Sequence, residues 1–354
     1  MILPTTYLAA LLLLLLSMVC WGSWANTQKL TGKWRFELFY YDYAIGVALC
    51  ALIAAFTFGS MNPQELTFQD NLLIAGYRKM MYGAAGGAVF NLANMLLVAA
   101  IAVSGMAVAF PIAIGLALVI GVVWNYALNP QGNALLLFGG LLLVVAAIVV
   151  DAFAYSTHLG AQTVAPTGGA PQIDPRARRP LKPLTARRGI VISVISGILM
   201  GMFYPLVEMG KSGENGVGPY GIALLFAGGV LVSTFFYNPF FMNFPVSGEP
   251  VHFRHYFKGT QKQHLLGIFG GIIWAAGAIS NFVAASAPPS VQVGPAISYA
   301  LGQGATLVSA LWGLLVWREF RGANDRVKMM LAGMIALFLA GLTMVSIAPL
   351  YASK

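Results

Sequence analysis

The sequence predicts an all-α integral membrane protein, with ten transmembrane helices arranged as two inverted five-helix repeats. Three observations carry that expectation: a composition that water cannot solvate, a series of apolar runs of spanning length, and a pattern of small residues that recurs half a chain later. Of 354 residues, 58% are hydrophobic and 9% are charged, whereas a soluble domain carries about 25% charged residues. The missing polar surface has to be supplied by lipid.

A spanning helix needs about 20 mostly apolar residues. Read in order, the runs are Tyr7–Trp24, Tyr43–Phe58, Tyr82–Val103, Ala107–Tyr126 and Ala134–Tyr155, then Gly189–Val207, Tyr220–Met242, Leu265–Ala285, Gly294–Trp317 and Lys328–Pro349. The first contains the unbroken leucine run Leu11–Leu16. No Lys or Arg precedes it and no small-residue cleavage pattern follows, so it reads as a span and not as a signal peptide. The second run is short and the ninth long. Only Ser104-Gly105-Met106 separates the third from the fourth. The connection Ser156–Arg188 contains APTGGAPQIDPRARRPLKP, whose Pro and Gly content predicts an extended linker. The expected units are therefore residues 1–155, a linker over 156–188, and residues 189–354.

The net charge of +9 would suggest nucleic acid in a soluble protein. Here the charges fall between spans, where they report topology. One set of loops holds Lys29, Lys33 and Arg35, the linker's Arg176, Arg178, Arg179, Lys182, Arg187 and Arg188, then Arg254, Lys258, Lys262, Arg318, Arg321, Arg326 and Lys328. The opposite set has Arg78, Lys79, Lys211 and Lys354. Basic residues collect in cytoplasmic loops. The expectation is a plasma (inner) membrane protein with both termini outside and the central linker in the cytoplasm.

The repeat is visible without gaps. A shift of 184 residues places Gly83, Gly86 and Gly87 on Gly267, Gly270 and Gly271, Phe90 on Trp274, and Pro111 on Pro295; a shift of 179 places Gly22 on Gly201. Five spans per unit is odd, so the two units would cross the membrane in opposite senses. Inverted repeats are characteristic of alternating-access carriers, whose sites lie near the midplane where the units meet. Gly87 and Gly271 would let neighbouring backbones approach closely. Pro111 and Pro295 either start helices or mark breaks, which persist in a bilayer only where protein or a wet cavity satisfies the freed carbonyl.

Polar groups inside spans then become the candidate site. Asn91 and Asn94 share one face of the third span, being three residues apart. An amide facing hydrocarbon unpaired costs several kcal/mol, so both must point inward, as interhelical links or as the lining of a wet cavity. Gln303 sits in the ninth span between Gly302 and Gly304, with Tyr299 one turn away. Trp274 lies mid-span, away from the interfacial belt where tryptophan concentrates, and either packs in the core or offers a stacking face. Trp21, near the end of the first span, is read as a belt residue or a contributor to the same site. Asp151 and Glu208 are the carboxylates nearest to lying within spans. Each is either a coupling group for a proton or a terminal residue in contact with water or a cation.

Other chemistries find no support. Gly210-Lys211-Ser212 imitates the end of a phosphate loop, but Pro205 stands where its first glycine belongs. His158, His252, His255 and His264 lie in or beside loops without a ligand set, so no metal or other cofactor is expected. Cys20 and Cys50 lie in apolar runs and read as packing residues. No nucleophile–base pair is recognisable, and an enzyme is not expected.

The residues resemble a known family. Phe39-Tyr40-Tyr41-Asp42-Tyr43 and the run ending Phe56-Thr57-Phe58-Gly59 resemble the first hairpin of the ureide permeases, within the drug/metabolite transporter superfamily. Gln69-Asp70-Asn71, Gly86-Gly87 and Asn94 are similar to its third-span region, and Asn125-Tyr126 to the end of its fourth span. Gln303, the run Leu307–Gly313 and Glu319 are similar to its ninth-span signature. The central region here is shorter and lacks the nucleotide-binding motif proposed for plant members, and Asn91 stands where the family more often has a small hydroxyl. The resemblance implies a ten-span secondary transporter for ureides such as allantoin or nucleobases such as uracil, with protons as co-substrate. Sugar carriers of the same superfamily are the alternative. The expected partners are a small-molecule solute, the bilayer and protons, with no nucleic acid; the sequence does not fix an oligomeric state.

Overall fold

The computed structural model describes residues 1–61, 66–164, 183–245, 249–291 and 293–351. It is a helical bundle, with no strand among the described residues and ten helices long and apolar enough to cross a membrane. The spans are Tyr7–Ser23 (α1) continued by Ala25–Leu30 (α2), Phe36–Phe56 (α3), Tyr77–Ser104 (α5), Met106–Leu128 (α6), Ala134–Val164 (α7), Pro183–Lys211 (α8), Pro219–Asn243 (α9), Gln261–Ala284 (α10), Pro295–Gly302 (α11) with Ala305–Leu311 (α12), and Asp325–Ile347 (α13). A short helix, Phe68–Ile74 (α4), precedes α5 and is held by a capping box between Thr67 and Asp70. The central Pro/Gly-rich stretch with its basic cluster, residues 165–182, lies outside the described residues. Its flanks are helical: α7 runs to Val164 and α8 begins at Pro183.

The second span starts earlier than hydropathy suggests, at Phe36 and not at Tyr43. The reason is Asp42. It is 2% exposed, yet satisfied: Tyr256 Oη donates to its Oδ1 at 2.6 Å, and His264 Nδ1 lies 2.7 Å from its Oδ2. Tyr256 belongs to a 3₁₀ turn, Phe253–Lys258, and the ring of His264 meets that of Trp34 edge-on at 4.7 Å. Burial, together with the Asp42 carboxylate, raises the Tyr256 phenol above its ordinary pKa. Partners from a distant loop turn a polar-looking stretch into a buried helix.

Two ends can be distinguished. At one, Ile2 N–H donates to Phe58 O, Gly76 N–H to Asn215 O, and Asn133 N–H to Ala348 O, so the loops nearest the termini gather together. At the other, the basic end, Lys29 pairs with Glu319 at 2.5 Å, Trp317 Nε1 donates to Asn26 Oδ1, and Gln263 Nε2 donates to Thr31 O.

The packing pairs exchange between the first five spans and the second five. α5 packs on α8 and α10 on α1; α6 packs on α8 and α12 on α1; α5 packs on α9 and α10 on α3. The glycines explain two of these crossings. A Cβ on Gly87 would overlap Phe226 O, and one on Gly229 would overlap Ala84 O, which fixes α5 against α9. At the corresponding crossing, Gly271 lies on Tyr43 O and Gly46 on Ile268 O. Each pair is a reciprocal backbone contact of the small-residue kind.

This packing predicts that Gly87→Ala and Gly271→Ala each lower the melting temperature of the purified protein, with a loss of about 1–3 kcal/mol as for overpacking elsewhere. Gly228→Ala, whose Cβ would meet nothing within 4 Å, should leave it unchanged or slightly raised.

Candidate functional site

The ninth span is not one helix. α11 ends at Gly302, Gln303 and Gly304 turn, and α12 resumes at Ala305. Gly302 and Gly304 permit the break because Trp21 and Met18 of α1 press against them: a Cβ on Gly302 would come 2.7 Å from Trp21 Cζ3, and one on Gly304 2.5 Å from Met18 Sδ. Broken helices of this kind survive at membrane depth where they line a cavity.

Such a cavity is present. It measures about 270 Å³ and is lined by Asn94, Trp274, Gln303 and Trp21 together with Gln28 and Phe203, among others. The aromatic side is layered: Trp274 stacks on Phe90 with ring centroids 4.3 Å apart, on Phe226 at 5.6 Å, and on Trp21 at 5.9 Å. Trp21 Nε1 donates to Trp274 O at 3.2 Å, so Trp21 contributes ring surface and no free donor. The polar side consists of amides. Asn94 Nδ2 donates to Tyr40 Oη at 3.2 Å, while its carbonyl oxygen bonds to no described residue. The side chains of Gln303 and Gln28 likewise make no hydrogen bond to a described residue. The cavity therefore offers both donors and acceptors beside flat apolar faces.

The structure separates the other expected residues from this group. Asn91 is fully buried and its Nδ2 is spent on α9: it lies 2.7 Å from Ser233 Oγ, 3.1 Å from Thr234 Oγ1 and 3.2 Å from Val230 O. Tyr299 is also fully buried, donating to Ala117 O and Met200 O. Glu208 pairs with Lys211 at 2.8 Å and lines a different cavity, of about 430 Å³, at the termini end. Asp151 lines a third, of about 240 Å³, at the basic end with Lys29, Glu319 and Tyr155. Pro111, inside α6, lines that same basic-end cavity, and Pro295 opens α11 beside the termini-end one. Gly87 and Gly271 lie at the helix crossings described above.

The central and basic-end cavities meet at Ala25, Phe110, Thr306 and Ser309, which line both. Among the described residues, none lines both the central and the termini-end cavities. Gln28 escaped the sequence reading because hydropathy ends the first span at Trp24; α2 carries it one turn further into the lining. A one-turn extension rich in Asn, Thr and Gln has no apolar signature to announce it.

Ten apolar helices around a chamber walled by amides and indoles define an integral membrane transporter. Residues 39–165 match the ureide permease family model, and residues 246–348 match that of the sugar transport proteins. Ureide permease 2 of Arabidopsis thaliana is 25% identical over 94% of this chain and 94% of its own length; ureide permease 1 of the same plant is 24% identical over 98% and 97%. A solved crystal structure of a protein with 17% identity superposes over 97% of this chain and 98% of its own with a TM-score of 0.58, a likeness of fold alone. The chain is thus similar to the ureide permeases along nearly its whole length, with the family model matching its first half.

Because the Asn91 amide binds helix to helix, Asn91→Ala should lower stability by about 0.6–1.7 kcal/mol, the range measured for interhelical hydrogen bonds in a bilayer. Solute uptake per folded molecule should be retained. A normal melting temperature with lost uptake would place Asn91 at the solute instead.

Proposed function

We propose that this protein is a secondary transporter for a small, neutral, planar metabolite carrying amide groups, of the ureide or nucleobase class. The observation that carries the reading is the pairing of unspent amides, Gln303, Gln28 and the carbonyl of Asn94, with the indoles of the half-buried Trp21 and the buried Trp274 in the lining of one chamber. A ureide or a pyrimidine presents alternating N–H and C=O groups on a flat body. Its edge would bond to the amides and its face would stack on indole. Among the described residues no charged side chain lines the central cavity, which disfavours an ionic solute. A volume of about 270 Å³ falls below the usual range for drug-sized ligands, about 300–1,000 Å³, and suits a metabolite.

The curated relatives are named ureide permeases, which supports allantoin or uracil as the solute to test first. Alternating access between residues 1–155 and 189–354 would follow from the exchanged packing pairs. The basic loops favour an orientation with both termini outside and residues 156–188 in the cytoplasm, so the chamber would face inward in this conformation. Proton coupling would fall to Asp151 or Glu208. Asp151 is the better placed, since it has no hydrogen-bond partner among the described residues and lines the cavity that joins the central one. A sugar as solute is the second reading, favoured by the match of residues 246–348 to sugar transport proteins.

Reconstituted protein should show saturable counterflow of allantoin or uracil, and Asn94→Ala and Gln303→Ala should each reduce it at least tenfold without loss of folded protein. A solute that binds the folded state also raises its melting temperature. Stabilisation by rhamnose or glucose alone, with neither allantoin nor uracil having an effect, would replace the ureide reading with the sugar one.

A further inference from the structure

Between the central and termini-end cavities lies a buried layer, and its side-chain hydrogen bonds converge on one residue that no expectation singled out. Asn281 of α10 is fully buried. Its Oδ1 accepts from Tyr204 Oη of α8 at 2.6 Å; its Nδ2 donates to Ser298 O of α11 at 3.0 Å and to Ser17 Oγ of α1 at 3.2 Å. One amide thus joins four helices. Around it, Tyr204 packs on Tyr299 and Phe282 with ring centroids 5.1 and 5.6 Å apart, all three fully buried. Just beyond, Lys211 Nζ bonds Glu208 and reaches Phe282 O at 3.3 Å, a second tie from α8 to α10.

We propose that the Tyr204–Asn281 hydrogen bond is the termini-side gate of the carrier, with the Lys211–Phe282 tie as its outer clasp. Four observations converge. The central cavity adjoins the basic-end cavity through the shared Ala25, Phe110, Thr306 and Ser309 but shares no described residue with the termini-end one, so the buried layer at Tyr204 and Asn281 stands between it and the termini side. Along α8 the layer is thin: Phe203 faces the central cavity and Glu208 the termini-end one, with about one helical turn between them. The main partners of α8 are α5 and α6, whereas those of α10 are α3 and α1. Side chains therefore bridge a parting line that the backbones do not. Finally, interhelical hydrogen bonds in a bilayer are individually weak, so the bond and the clasp add little to the cost of parting the aromatic contacts around them.

The gate rests on the alternating-access reading above, and the test separates the two. In a background carrying Cys20→Ala and Cys50→Ala, a single cysteine is placed in the central cavity by Ser309→Cys. A membrane-impermeant maleimide is then applied from the termini side of oriented proteoliposomes. Tyr204→Phe keeps the ring and removes only the hydroxyl; it should speed labelling from that side at least fivefold and slow labelling from the basic side. Asn281→Ala should do the same. Unchanged rates in both variants, with melting temperatures showing them folded, overturn the gate and make Asn281 a structural hub. Protection of wild-type Ser309→Cys by allantoin or uracil is read separately. Its absence counts against the solute assignment, while the gate is still judged on the labelling rates.

Discussion

An amide in hydrocarbon must bond to something, and that constraint organises this molecule. The bilayer core supplies no donors or acceptors, so a polar side chain inside a span is costly unless it bonds to another helix or to what enters a cavity. Asn91 and Asn281 are committed to helices, and each fastens elements far apart in sequence. Gln303 and Gln28 are not, and Asn94 only by half. Gln303, Gln28 and Asn94 line the central chamber, whereas the carbonyl oxygens of Asn91, Asn125 and Asn238 are buried away from it without a partner among the described residues.

The same economy explains the charged groups. Asp42 could not be buried at the end of a span without Tyr256 and His264, which come from the 3₁₀ turn before α10 and from the first turn of α10 itself. Glu208 has Lys211, both side chains nearly buried at 11% and 7% exposure. Lys29 and Glu319, at 46% and 38%, form a water-facing pair, which contributes little to stability.

Much of this was legible in the sequence, and the failures have physical causes. Hydropathy located all ten spans, and the ungapped register of Gly83, Gly86 and Gly87 on Gly267, Gly270 and Gly271 marked the crossings at which backbones touch. The helix break at Gln303 and Gly304 was not anticipated; the sequence raised a break or a helix start at Pro111 and Pro295, and Pro295 starts α11. Asn91 and Asn94 could not be told apart, because the difference is Ser233 and Thr234, two hydroxyls on another helix that happen to lie opposite the first amide and not the second. The start of α3 was misplaced since its polar residues are neutralised by tertiary partners. Asn281 passed unnoticed because one amide near a helix end carries no local signature; its importance lies in the four helices that converge on it.

The central claim is that a neutral planar solute sits on Trp274 with its edge on Gln303. Intrinsic tryptophan fluorescence of the purified protein, titrated with uracil and with allantoin, tests it most directly. The account predicts a saturable change that disappears in Trp274→Phe and shifts to much higher concentration in Gln303→Ala. A saturable signal that survives both substitutions unaltered would contradict it.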